Sequence, residues 1–166
     1  WWRVGFMTAP LLVGFIVPAR PLGATAIDTR GVNVSAPIAG SGDAQRLQIS
    51  PEQRSILDWV RVVNYANDAA EVRGQSADVI GFVYHDQNLG ADTFMVARFM
   101  VTCCSADATA VAMAVTWTDA AELPDNTWVR VRGTVDVSAY GGRPLPLINA
   151  ASVEPTDEPA RPYMYP

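Results

Sequence analysis

The sequence predicts a mainly β domain: a small, OB-like five-stranded barrel preceded by one amphipathic helix, with an antiparallel β-sandwich as the alternative. Three observations lead there. From Ala77 onward, apolar residues recur at every second position in five runs separated by turn residues. A single segment of helical period precedes those runs. The connection after the second run is short, which suits a small, partly open barrel.

The elements follow in order. Trp1 to Ala19 is almost wholly apolar, with Arg3 its only charge and Pro10 in its middle. Its uninterrupted part, Val4 to Val17, is shorter than the roughly 20 residues that span a bilayer. Residues 1–19 therefore read as part of a transmembrane helix, with Trp1-Trp2 and Arg3 resembling an interfacial belt. The h-region of a secretory signal, with Ala24-Thr25-Ala26 as its cleavage-like site, is one alternative, and a buried soluble helix is another. Residues 20–48, rich in Pro, Gly, Ala, Ser and Thr and without hydrophobic period, read as a flexible linker. The folded domain is expected over residues 49–166.

That domain opens with a helix. Ser50 suits the N-cap, Pro51 the first helical position, and Gln53 completes a capping box. Ile56, Trp59, Val60 and Val63 then share one face. Ala77 to Tyr84 forms the first strand, and the loop from His85 to Asp92 supplies turn residues. The second strand, Phe94 to Cys104, is apolar at Met95, Ala97, Phe99, Val101 and Cys103. By alternation Cys103 faces the core and Cys104 shares a side with Arg98. Val111 to Trp117 is the third strand and Trp128 to Val137 the fourth. Tyr140-Gly141-Gly142-Arg143 turns the chain into the fifth, Leu145 to Val153, whose Pro144 and Pro146 suit an edge. The proline-rich tail is extended, with Tyr163 and Tyr165 its packing residues.

The net charge of −5 excludes the basic stripe that nucleic acid requires. Trp117, Trp128 and Tyr84, which could stack on bases or sugars of an OB-like barrel, are therefore read as packing residues. All twelve cations are arginines, a trait of genome composition. The one histidine serves no recognised nucleophilic motif, and no glycine loop cradles phosphate, so no enzymatic activity is expected.

The chemistry converges on Cys103, Cys104 and Asp107. Neighbouring cysteines rarely pair, because the ring they close is strained. Adjacent strand residues also point to opposite faces, so both thiols reach one ion only where the strand breaks, and Ser105-Ala106-Asp107 could break it. Two thiolates with a carboxylate suit zinc or another thiophilic divalent metal, and the neighbouring thiols alternatively suit a thiol-redox module. A closed zinc site takes four ligands, and His85 is the only histidine. The plainer readings are two small buried cysteines, an Asp107 that caps a turn, and an Arg98 paired with Asp107 or Asp136.

Several segments together resemble the YcgQ-like bacterial proteins, a family of two-component membrane permease subunits with a domain of unknown function. They are Val17-Pro18-Ala19-Arg20-Pro21-Leu22-Gly23, Gly81-Phe82-Val83-Tyr84, Ala97-Arg98-Phe99 running into Cys103-Cys104-Ser105-Ala106-Asp107-Ala108, Trp128 to Thr134, and Pro162-Tyr163-Met164-Tyr165-Pro166. The resemblance implies a short N-terminal membrane region, whose first helix would precede Trp1, followed by an extracytoplasmic domain. It implies an accessory, non-pore subunit at the cell membrane, beside an integral-membrane permease and in contact with lipid. The family pattern favours arginine or lysine where this chain has His85, which makes His85 a poor candidate for a shared role.

Overall fold

Period-two alternation builds a closed ring of strands. The computed structural model describes residues 8, 12, 22–35, 49–65 and 71–165. Its strands are β1 (Ser76–Tyr84), β2 (Thr93–Met100), β3 (Thr109–Thr116), β4 (Trp128–Tyr140) and β5 (Arg143–Pro155). They pair in the order β1-β2-β3-β5-β4, and β4 pairs back onto β1, so the hydrogen bonds close on themselves. Every pairing is antiparallel except that of β3 with β5, where Ala114, Val115 and Thr116 run parallel to Leu147, Ile148 and Asn149. The fold is mainly β and OB-like, as the alternation indicates. β5 is not the expected edge strand: β4 accompanies it from Tyr140↔Arg143 to Val129↔Pro155. Pro144 and Pro146 are accommodated because they precede the stretch that also pairs with β3.

Both faces of the sheet are buried, which one apolar stripe per strand did not suggest. Phe94, Met95, Val96 and Ala97 are all fully buried in succession. Even positions of β2 and odd positions of β1, β3 and β4 make one cluster with helix α2 (Ile56–Tyr65), whose Trp59 and Val60 are wholly enclosed. The opposite rows, including Phe82, Met95, Phe99 and the alanines at 110, 112 and 114, make a second cluster. Gly81 is required at the crossing of β1 and β2. A Cβ there would lie 2.6 Å from the Ala97 carbonyl oxygen, 2.9 Å from Val96 Cγ2 and 3.0 Å from Ile56 Cδ1.

The second cluster is covered by helix α1 (Ala24–Arg30), which lies inside the segment read as a flexible linker. Ala24 and Ile27 are buried there, Ile27 to 1% exposure. The helix has only Gly23 as its own N-cap, and its Ala24 N–H donates instead to Asn126 Oδ1 at 2.6 Å. Beyond the helix, Val32 bridges to Ala110, and Asn64 of α2 donates to the Val34 carbonyl at 2.6 Å. The expected membrane segment, residues 1–19, lies outside the described residues apart from Thr8 and Leu12. Among the described residues no helix is long and apolar enough to cross a membrane.

The helix before the sheet begins later than its sequence signals indicate. Pro51–Gln53 forms only a 3₁₀ turn, and the Ser50 side chain caps nothing. The working cap is Ser55: its Oγ accepts from the Asp58 N–H at 3.2 Å, while Asp58 Oδ2 accepts from Ser55 N–H at 2.9 Å and from Ser55 Oγ at 2.6 Å. This is the reciprocal pattern of a capping box, displaced by five positions from the one expected.

Candidate functional site: the cysteine loop

β2 stops at Met100, four residues short of the expected end, and the two cysteines fall in the loop that follows. Two neighbours take the place of a continued strand. Val101 N–H donates to the Met164 carbonyl at 2.9 Å, and Met164 N–H to the Phe99 carbonyl at 2.8 Å, so the tail lies along the end of β2. Asp107 then turns the chain, Oδ1 accepting from the Thr102 N–H at 3.2 Å and Oδ2 from the Cys103 N–H at 2.8 Å. Asp107 thus has the turn-capping role weighed for it.

Cys103 is not directed into the core. Both cysteines are free thiols and exposed, so the reading of two buried residues does not hold. Their sulfurs lie 3.8 Å apart, Cys103 Sγ toward Cys104 Sγ. The two differ in environment. Hydrogen bonding of the Cys103 thiol to the Asp107 carboxylate, and then to the Cys104 sulfur, holds the Cys103 pKa above that of an ordinary thiol. Cys104 precedes the 3₁₀ turn Ser105–Asp107, and the Ala106 N–H at its sulfur, followed by the Cys103 thiol and the Asp107 N–H, lowers its pKa. The Asp107 carboxyl is held below the usual carboxylate range, first by the Cys103 thiol and then by the Cys103 N–H.

The loop is pinned at both shoulders. The tail holds Val101, and on the far side Asn33 N–H donates to the Ala110 carbonyl at 2.8 Å. Between them, Arg30 Nη1 of α1 donates to the carbonyls of Ser105 at 3.1 Å and Ala108 at 3.0 Å. Sequence reasoning missed Arg30. The available signal was a basic residue followed by glycine: Arg30 is the last residue of the helix, and Gly31 follows it at φ 75°.

A zinc ion fits this loop poorly. The Asp107 carboxylate is already engaged by two backbone N–H groups. His85 is occupied elsewhere, with Nδ1 2.8 Å from Asp125 and Nε2 3.0 Å from the Ala120 carbonyl. Among the described residues no group of three or more His, Cys, Asp or Glu is gathered for a metal, whereas a closed zinc site takes four ligands.

The remaining candidates have structural places. Arg98 does not pair with Asp107 or Asp136; its guanidinium donates to the Arg161 carbonyl and, at 3.1 Å, to that of Pro162, and lies 5.9 Å from the Trp128 ring. Asp136 pairs with Arg73 at 3.0 Å. Trp128 meets Phe82 edge-on, with ring centroids 5.8 Å apart. Tyr84 is buried, its hydroxyl donating to Asp28 Oδ1 at 3.1 Å. Trp117 is half-buried against the α2 cluster. In the tail Met164 is the buried residue, and Tyr165 is exposed. The two concavities flanking α1, of about 530 Å³ beside Phe82 and Trp128 and about 360 Å³ beside Tyr84 and Tyr140, include neither cysteine.

Comparison with known proteins is consistent with the resemblance. The chain is 22% identical over 189 residues to the UPF0703 protein YcgQ of Bacillus subtilis (strain 168), an alignment covering 94% of this chain and 65% of that protein. The chain thus spans about two-thirds or less of its relative's length. Among solved structures, an OBody bound to hen egg-white lysozyme is 20% identical at a TM-score of 0.36, covering 54% of this chain and 91% of its own. A DUF3299 family protein from Pseudomonas aeruginosa PAO1 is 16% identical at a TM-score of 0.36, covering 84% and 85% respectively. The sequence match is the informative one: residues 41–166 match the DUF1980 C-terminal domain, and the chain belongs to that family.

Proposed function

We propose that this domain belongs to the accessory, non-pore subunit of a bacterial two-component membrane permease. It stands on the extracytoplasmic side, docks on an integral-membrane partner and presents a ligand or contact surface to it. The resemblance to YcgQ-like proteins and the apolar segment of residues 1–19 support that setting. The observation that carries a presenting role is the cysteine loop: it is exposed, and it is pinned at both shoulders by the tail and by the segment after α1. Such a loop offers a fixed, open surface, which fits docking.

The test is recovery from membranes. Full-length protein carrying an affinity tag is extracted in mild detergent after brief cross-linking. A stoichiometric integral-membrane partner is the expected result. Recovery of the protein alone, in the soluble fraction, would overturn the reading.

A further inference from the structure

The cysteine loop has a chemistry that needs no third ligand. We propose that Cys103 and Cys104 form a thiol–disulfide exchange site, with Cys104 as the attacking sulfur and Cys103 as the resolving one. The inference stands whether or not the domain serves a permease.

Geometry carries it. The sulfurs are 3.8 Å apart and both are exposed, so an incoming disulfide can reach either, and the second attack closes that separation to the roughly 2.05 Å of a disulfide bond. Their surroundings divide the labour. The Cys104 sulfur sits at the start of the 3₁₀ turn Ser105–Asp107, where the Ala106 N–H lowers its pKa, while the Asp107 carboxylate beside the Cys103 thiol raises that of Cys103. A thiolate is the nucleophile in exchange, and its availability at neutral pH decides which cysteine reacts first.

The steps balance with a disulfide R–S–S–R as oxidant. The Cys104 thiolate attacks one sulfur, forming a Cys104–S–S–R bond and releasing one thiolate. Cys103 then gives up its proton to water, and the departing thiolate takes one from water in turn. The Cys103 sulfur attacks Cys104 Sγ, forming the Cys103–Cys104 bond and releasing the second thiolate. The protein dithiol loses two electrons, and the disulfide becomes two thiols. The strained ring of adjacent cysteines makes this bond easy to reduce again. The substrate class is therefore a small or protein-borne disulfide that exchanges electrons reversibly with the loop.

The experiment uses the purified chain and the aromatic disulfide dithiobis(nitrobenzoate), with absorbance and intact mass as readouts. Wild type is expected to release two thionitrobenzoate anions per chain and to end with no adduct, its mass lower by two hydrogens. Cys103→Ser is expected to release one and keep a stable mixed disulfide on Cys104. Cys104→Ser should react more slowly than Cys103→Ser by about tenfold at neutral pH. Circular dichroism confirms that each variant is folded, as expected for serine at an exposed position. Two adducts on the wild type would overturn the exchange site. Equal rates in the two single variants, or the faster rate in Cys104→Ser, would overturn the assignment of roles.

Discussion

Arg30 Nη1 donates to the Ala108 carbonyl at 3.0 Å, a contact that crosses 78 positions of sequence and ties the last residue of α1 to the end of the cysteine loop. The same nitrogen holds Ser105. Replacing Arg30 with alanine frees an exposed carbonyl at Ser105 and a part-buried one at Ala108, so stability should fall by about 1–2 kcal/mol. The reaction rate of the cysteines should nonetheless change, because the loop loses its outer tether. Urea denaturation together with thiol kinetics checks both halves; unchanged kinetics would mean that the tail, Asp107 and the Asn33–Ala110 hydrogen bond set the loop without Arg30.

Ile27 is the deepest contact of α1. Ile27→Ala should cost about 2–5 kcal/mol, as deletion of a buried aliphatic side chain does. A chemical denaturation midpoint close to wild type would show that α1 does not contribute to the folded domain in solution.

The start of α2 offers a paired test. Ser55→Ala removes the observed cap and should destabilise by about 1 kcal/mol. Ser50→Ala should be nearly silent, since that side chain caps nothing. The reverse order of effects would move the helix start back to the position the sequence signals suggested.

Gly81→Val places a branched side chain against the Ala97 carbonyl, Val96 and Ile56, and should destabilise by roughly 1–3 kcal/mol through overpacking. Thermal unfolding measures it. A neutral result would mean that β1 can move away from β2 without loss.

Alkaline pH should reveal the two tyrosines that flank α1. Burial, followed by the hydrogen bond to Asp28, pushes Tyr84 up to about 12; burial, followed by the bond to Asp86, does the same for Tyr140. A raised folded pKa adds stability that is fully present below the unfolded value of about 10 and is lost as pH rises toward 12. Denaturation midpoints should therefore fall between about pH 10 and 12. In the Tyr84→Phe Tyr140→Phe double variant that slope should flatten, and an equally steep decline would assign it to other groups.

Strand alternation was readable because each row of valines and alanines has a fixed side to occupy, and the observed strands follow those runs to within a few residues. The end of β2 was not. Val101 and Cys103 continue the apolar alternation, but the Asp107 carboxylate takes the Thr102 and Cys103 N–H groups that another ladder rung would use. Asp107 was recognisable as a turn cap, but alternation alone does not say that its cap begins as early as Thr102. α1 was missed for a related reason. It is short, it buries only Ala24 and Ile27, and its cap comes from Asn126, 102 positions away. The site residues were thus found by type and spacing, while their exposure and their tether to Arg30 depend on contacts between distant segments.

The parallel seam between β3 and β5 also constrains the order in which the molecule can be finished. Until Leu147 to Asn149 have been synthesised, β3 has no second neighbour, and a nascent chain carries an open sheet with a wet apolar row beneath α2. Sealing falls to one of the last elements to emerge. Pairing between such distant segments slows folding and prolongs the exposure of sticky edges. A chain cut after the Gly141-Gly142 turn would therefore lose the closure itself, and with it the cover over the free edges of β3 and β4.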